Sequence, residues 1–276
     1  MALKIVTDST ADLPPELAAE MGLIVVPAII IFDGQELLDG VDITPDAFFQ
    51  RLPSASQPPK TSQPTPAQFA EVYERLHGEG HEIVSLHVSA KLSGTFNSAL
   101  QGKEMAGVDV EVIDSGGASL WTGLAALAAA RKAAEGAPQA EVAQTVREVS
   151  ARLGAFFFVD TLEYLVKGGR IGKAQGFVGG VLNIKPVLYI NDGELHQYGR
   201  VRSRRKAVER LIEIARAAAP LEEVGVLHGA VPDEAQALAA DLADLTPGTP
   251  PIVSSVGPAV GAHTGPGTLG VVFRRA

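Results

Sequence analysis

The stretch "EIVSLHVSAKLSGTFNSALQGKEMAGVDVEVID", residues 82–114, decides the fold. It opens on a β-rich apolar run, EIVSLHV, and closes on a second, VEVID. Between them SGTFNSALQGKEMA, Ser93–Ala106, reads as a helix that begins at Ser93-Gly94. Two strands joined through a helix lie parallel, because only a long crossover returns the chain to the same end of the sheet. That crossover is right-handed. A parallel sheet must in turn be covered on both faces.

The same alternation extends outward from this unit. Upstream, LKIVT is a strand, PPELAAEM a helix, and LIVVPAIIIF a long apolar strand region interrupted by Pro27. A Pro- and Ser-rich loop runs from Pro53 to Pro66. The helix after it has Thr65 as N-cap, Pro66 at its first position and Gln68 completing a capping box. Downstream lies a long helix, Ala118–Gly136. The second half differs. Helices are expected at Pro138–Arg152, before Gly168-Gly169, at Ser203–Ala219 and at Pro232–Leu245. KPVLYINDGELHQYGRV places Asn191-Asp192-Gly193 between two β-rich runs, the signature of an antiparallel hairpin. The expected fold is therefore α/β with two α/β domains, residues 1–153 and 154–276. The first carries a mostly parallel sheet with helices on both faces, the second a mixed sheet with helices.

Composition narrows the function. Of the 276 residues 46% are hydrophobic and 20% charged, which suits a sizeable core and not disorder. A net charge of −9 argues against nucleic-acid binding, which needs a basic face against phosphates. The absence of cysteine excludes disulfides, thiolate metal sites and cysteine nucleophiles. A cytoplasmic location is expected: MALKIVTDST has no apolar run of signal-peptide length. The most apolar helical stretch, Ala118–Ala130, falls short of the ~20 residues that span a bilayer.

In open α/β sheets, ligands bind beyond the carboxyl ends of the strands. There this sequence delivers Asp8, Ser9 and Thr10, then Ser89, Ser93 and Thr95, then Asp114 and Ser115. The loop KTSQPTP adds Thr61 and Ser62. Each residue alone would serve as an N-cap or turn residue, but four clusters on one edge point to a shared site. At Ser93-Gly94 free N–H groups and a hydroxyl converge, a setting suited to a carboxylate.

Other chemistries fail on spacing. Gly265-x-Gly267-x-x-Gly270 contains Pro266 and leads into a strand, TLGVVF, so it is not a dinucleotide fingerprint. KGGRIGKA has Lys167 and Ala174 where a phosphate loop needs glycine and a hydroxyl. His77 and His81 stand four apart, but HGEGH puts two glycines where a ligating helix would continue, so no metal site is expected. Arg200, Arg202, Arg204, Arg205 and Lys206 crowd the start of a helix, where the macrodipole opposes cations. They make either a solvated patch or a docking site for an acidic partner or phosphate. Arg170 is expected to be a second exposed cation of that kind.

DSTADLP (8–14), TSQPTP (61–66), LSGTFNSA (92–99), Asp114-Ser115, LEYLVKGGRIGK (162–173), IKPVL (184–188) and GAHTGPGTLG (261–270) resemble, in order and over nearly the whole chain, the DegV family of fatty-acid-binding proteins. The resemblance implies two α/β domains enclosing an acyl chain in an apolar tunnel. It implies a carboxylate held by Thr61 and Ser93 with His263 nearby, and Ser62, Gly94 and Thr95 in support. It further implies a non-enzymatic fatty acid kinase B subunit type of carrier, without a cofactor, serving phospholipid metabolism. Such a carrier presents the carboxylate to a separate ATP-dependent fatty acid kinase that makes the acyl phosphate. Arg170 and Arg202 match positions tied to kinase docking and phosphate transfer, and transient contact with a membrane surface would fit the role. The physics is compatible: burying about a dozen methylenes contributes roughly 10 kcal/mol gross. A buried carboxylate is tolerated only with several hydrogen bonds. The alternative is a phosphotransferase-like enzyme acting on a small carbonyl compound, with His263 as covalent or acid/base residue. A long apolar cavity would favour the lipid, a short polar one the small substrate.

Overall fold

The computed structural model describes residues 2–177 and 184–276. In chain order the first half gives β1 (Leu3–Asp8), α1 (Pro15–Glu20), β2 (Ile24–Val26), β3 (Ile29–Phe32), β4 (Gln35–Leu38) and α2 (Pro45–Arg51). β5 (Lys60–Ser62), α3 (Pro66–Gly78), β6 (Glu82–His87), α4 (Thr95–Ala106), β7 (Val110–Asp114), α5 (Leu120–Ala134) and α6 (Gln139–Arg152) follow. The second half gives β8 (Leu153–Phe158), α7 (Glu163–Lys167), β9 (Lys185–Asn191), β10 (Glu194–Val201) and α8 (Arg204–Ala217). It ends with β11 (Leu221–His228), α9 (Pro232–Leu242), β12 (Ile252–Ser255), α10 (Pro258–Thr264) and β13 (Leu269–Arg275).

The 82–114 unit folds as its pattern dictates: β6 and β7 pair in parallel, His87 opposite Asp114, with α4 as the crossover. The sheet built on it has the order β2-β1-β6-β7, and all its pairs are parallel. α3 and α4 cover one face, where Phe69, Tyr73, Leu76 and Ala99 pack on Val6, Ile83 and Val110. Both halves of the α3 capping box form: Gln68 N donates to Thr65 Oγ1, and Thr65 N donates to Gln68 Oε1 at 2.8 Å.

A second sheet, β10-β9-β8-β13-β11-β12, is antiparallel except at the β11–β12 pair. Its hairpin β9–β10 turns on Asp192 and Gly193, both at positive φ (50° and 73°), the turn that Asn-Asp-Gly predicts. α8 and α9 cover its outer face. Its inner face meets α5 and α6, because Leu153, Ala155, Leu227 and Val272 share one cluster with Leu124, Leu127 and Val146. Those helices also cover the first sheet, through Ile5, Val84 and Leu86. The layers therefore run helices, parallel sheet, α5/α6, mixed sheet, helices. α5 lies between two sheets, every residue from Leu120 to Ala130 is buried, and this is why its sequence is apolar all round.

The sequence reading needs three corrections here. LIVVPAIIIF is not one strand region: Pro27 separates β2, in the parallel sheet, from β3, in a third sheet of order β4-β3-β5. The Pro- and Ser-rich loop is not all loop, because Lys60–Ser62 pairs antiparallel with β3, Thr61 opposite Ile30. The glycine-rich segment near the end contains a helix, α10.

Candidate functional site

A cavity of about 1000 Å³, solvent at its mouth included, opens between the sheets. Its walls are apolar, with Val88, Phe157, Leu165, Ile190, Leu227 and Val260 among them. Ligand cavities commonly have this character, an apolar lining with a few placed polar groups. Among its polar groups Thr61, Ser62, Ser93, Thr95, Arg170 and His263 line the same space, and Thr10, Ser119, Thr264 and Thr268 line it as well. Gly94 adjoins them as the N-cap residue of α4. Arg202 is exposed between β10 and α8 and is not among the cavity residues.

Each of these side chains is positioned by a different element. β5 pairs with β3 and so points Thr61 at α10, where Thr61 Oγ1 and His263 Nε2 lie 2.9 Å apart. Ser93 precedes α4; its Oγ accepts from Thr95 N at 3.3 Å and lies 2.9 Å from Thr95 Oγ1. Arg170 corrects its expected exposure. It is half-buried, its Nε donating to Leu92 O at 3.1 Å and its Nη1 to Gly168 O at 2.8 Å. It thereby ties the segment before Ser93 to the segment that seats His263.

That seat is tight. A Cβ on Gly168 would lie 2.0 Å from His263 Nδ1, so only glycine leaves room for the ring. Burial, with the nearby Arg170 charge adding to it, lowers the His263 pKa to about 4, so the imidazole is neutral at pH 7. Its Nδ1 is buried without a partner. An orphaned N–H is costlier than an orphaned lone pair, so the ring proton belongs on Nε2, donating to Thr61 Oγ1. The Thr61 hydroxyl hydrogen is then free to turn into the cavity. Beyond the same three residues, Thr61, Arg170 and His263, lies an outer vestibule with Lys60 and Lys167 in its lining. The arrangement suits an anionic head on an apolar tail, with the head at the boundary of cavity and vestibule.

The polar clusters on the strand ends do not all share this site, as their common edge suggested. Thr10 reaches the cavity, but Asp8 is sealed, holding His87 Nδ1 at 2.9 Å and Val88 N at 3.2 Å. His87 Nε2 continues to Ser85 Oγ at 2.7 Å, and Ser85 Oγ to Tyr73 OH at 2.7 Å. This Asp-His-Ser series is wholly buried and closed by the tyrosine, so it cannot meet a substrate. Ser9 bonds Asp39, and Ser89 donates to Gly193 O of the hairpin. Asp114 accepts from Ala90 N and Gly116 N, holding turns. In the basic cluster Arg204 pairs with Glu234 and Asp160, and Arg205 with Glu209. The sequence reading missed Gln63, which lines the cavity and whose amide a Cβ on Gly94 would meet at 2.6 Å. The step of two from Thr61 in TSQ was the available signal.

The family model for "Uncharacterised protein, DegV family" matches residues 2–276. The chain belongs to the DegV family. A DegV domain-containing protein of Streptomyces coelicolor is 43% identical over 272 residues, covering 97% of this chain and 96% of its own. Among solved structures, a DegV family protein from Thermus thermophilus superposes with a TM-score of 0.92 at 37% identity, over 99% of each chain. That structure is described as the fatty acid binding of a DegV family protein. The DegV of Bacillus subtilis, described as a fatty acid binding protein, gives a TM-score of 0.90 at 29% identity over 99% of each chain. A stearic acid-binding protein from Eubacterium ventriosum gives 0.91 at 28% identity, over 99% of this chain and 98% of its own. Among the described residues of this DegV chain, no helix is long and apolar enough to cross a membrane.

Proposed function

We propose that this DegV protein binds one long-chain fatty acid with its tail in the apolar cavity and its carboxylate at the Thr61–Ser93–His263 end. The observation that carries this reading is the lining: mostly apolar side chains, with Thr61 against His263 and Ser93 beside the Leu92 carbonyl that Arg170 holds. The same apolar lining favours a lipid over a small carbonyl substrate. Thr61 and Ser93 donate to the carboxylate, the His263 ring orients Thr61, and Ser62, Gly94 and Thr95 shape the surrounding backbone. The role is that of a cytoplasmic carrier that performs no chemistry itself and needs no cofactor. It presents the carboxylate, through the vestibule, to a separate ATP-dependent fatty acid kinase, with Arg170 at the head group and Arg202 on the partner-facing surface. Loading from a membrane surface belongs to the same reading, as does the division into 1–153 and 154–276.

Denaturing mass spectrometry of the extract from freshly purified protein, with native mass for stoichiometry, tests the first step. One fatty acid per chain is the expected result. An empty protein that also fails to take up added hexadecanoic acid overturns it. Formation of acyl phosphate on adding a fatty acid kinase and ATP would test the second step.

A further inference from the structure

A second cavity, about 1440 Å³ with the solvent at its mouth included, opens beside Gly257 at the start of α10. It shares no lining residue with the inner cavity or the vestibule. Asp8, Asp12, Asp39 and Asp46 line it, and among the described residues no Lys, Arg or His does. The rest of its wall is largely apolar, and there Val25 and Val41 remain 41% and 66% exposed.

Most of the innermost carboxylate oxygens already accept hydrogen bonds. Asp8 holds Thr10, His87 and Val88 N. Asp12 Oδ1 accepts from Gly257 N, and its Oδ2 accepts from Ser119 Oγ at 2.6 Å. Asp39 Oδ2 accepts from Ser9 Oγ and Ala259 N. Asp39 Oδ1 accepts from nothing, although Asp39 is only 3% exposed. That oxygen is not sealed; it keeps accessible surface towards the cavity that Asp39 lines. A Cβ on Gly257 would lie 2.8 Å from Asp12 Oδ1 and 3.4 Å from Asp39 Oδ1, so the two carboxyls converge on one spot. Burial chiefly, with the Asp8 charge adding to it, raises the Asp39 carboxyl to about 6, so it is largely ionised at pH 7. A buried carboxylate is tolerated when a cation and hydrogen-bond donors complete its shell. Here one donor position and the cation are missing. Among the described residues no group of three His, Cys, Asp or Glu side chains could hold a metal ion. An N–H donor on an apolar body answers both the free oxygen and the apolar wall.

We propose that this cavity is a second binding site, for a small organic ammonium that donates to Asp39 Oδ1 and lays its alkyl body against Val25 and Val41. A free alkylamine and the side chain of a lysine present the same chemistry. The site is independent of the fatty-acid reading and stands or falls without it.

The test is titration of isotope-labelled protein at pH 7 with butylammonium, butanol and magnesium chloride, followed by amide chemical shifts. Butylammonium should move the Gly40, Val41 and Gly257 amides saturably. Butanol should bind at least about tenfold more weakly, the worth of a hydrogen bond to a charged group. Asp39→Asn keeps an acceptor for Ser9 and Ala259 and should lose that tenfold, with circular dichroism to check its fold. Nα-acetyl-lysine methylamide separates the sources: binding as tight as butylammonium assigns the site to a lysine side chain, weaker binding to a free amine. Equal binding of butanol overturns the proposal, as does an unchanged affinity in Asp39→Asn or the absence of any saturable shift. Saturation by magnesium at lower concentration than by butylammonium would make this a metal site and the proposal wrong. Should Asp39→Asn not fold, the comparison of butylammonium with butanol in the parent decides alone.

Discussion

At Gly168 the missing side chain is what leaves room for His263. The ring is held from one side by Thr61 and from the other by a backbone that admits no Cβ. Gly168→Ala should therefore displace the imidazole and free Thr61 to rotate, weakening fatty acid binding at least about tenfold, within the ~1–3 kcal/mol typical of overpacking. Fluorescence displacement measures the affinity and circular dichroism checks the fold; an unchanged affinity would show that the ring's position does not matter. At this scale Thr61 and Ser93 stood out from their own surroundings as hydroxyls at a strand edge and a helix start, whereas His263 was singled out only by the resemblance to the DegV family; the structure brings all three to one cavity. The sequence was silent where the chemistry is a contact between distant segments. Nothing around Gly168 says that a histidine from α10 lies against it, and nothing around Asp39 says that its carboxyl lies beside Gly257.

Among the elements, α10 shows why a helix can hide in a glycine-rich segment. Its N-cap residue, Gly257, has no side chain to cap with. The capping acceptors come from afar instead: Asp12 Oδ1 accepts from Gly257 N at 2.9 Å, and Asp39 Oδ2 accepts from Ala259 N at 3.3 Å. Local sequence could not announce a cap supplied from the first strand's loop and the third sheet. The same holds for β5, a strand only because β3 offers it an edge. The clamp carries a pH signature. Burial raises the Asp39 carboxyl to about 6 from its ordinary 3.8 and pushes Asp12 up as well. A carboxyl whose folded pKa is raised contributes stability that is present below about pH 4 and lost as pH rises through about 6. Asp39→Asn keeps an acceptor oxygen and does not titrate. Relative to the parent it should gain stability, on the order of 3 kcal/mol, between pH 4 and pH 7. Urea unfolding of both proteins across that range measures the difference; a constant gap would mean that Asp39 does not titrate there.

For the molecule as a whole, the central fact is that α5 and α6 are core to both large sheets. The strand–helix alternation made the parallel sheet legible, and Asn191-Asp192-Gly193 made the hairpin legible. The burial of α5 on all sides could be read from its composition; which sheets bury it could not, because the pairing of a helix with two sheets is a property of the assembled layers. Leu124, fully buried between them, gives the test. Leu124→Ala should cost ~2–5 kcal/mol, as large-to-small core changes do, and both sheets should lose stability together. The single tryptophan, Trp121, is on the same helix and reports on that core. Its fluorescence and the far-ultraviolet circular dichroism should follow one coincident urea transition in both proteins. Two separated transitions would show that the sheets unfold independently despite the shared helices.

The head-group end of the cavity joins Thr61, Ser93, Arg170 and His263, and its walls reach from Thr10 to Thr268 in a chain of 276 residues. A ribosome releases such a chain from its amino end. The early hydroxyl of Thr61 must therefore wait for an imidazole 202 residues further along the chain. A nascent chain that stops short of His263, however much of its parallel sheet has already formed, lacks the complete Thr61–His263 end of the cavity. On the fatty-acid reading proposed above, loading has to follow translation at least through His263, and a bound acid would report that this stretch has been made and folded.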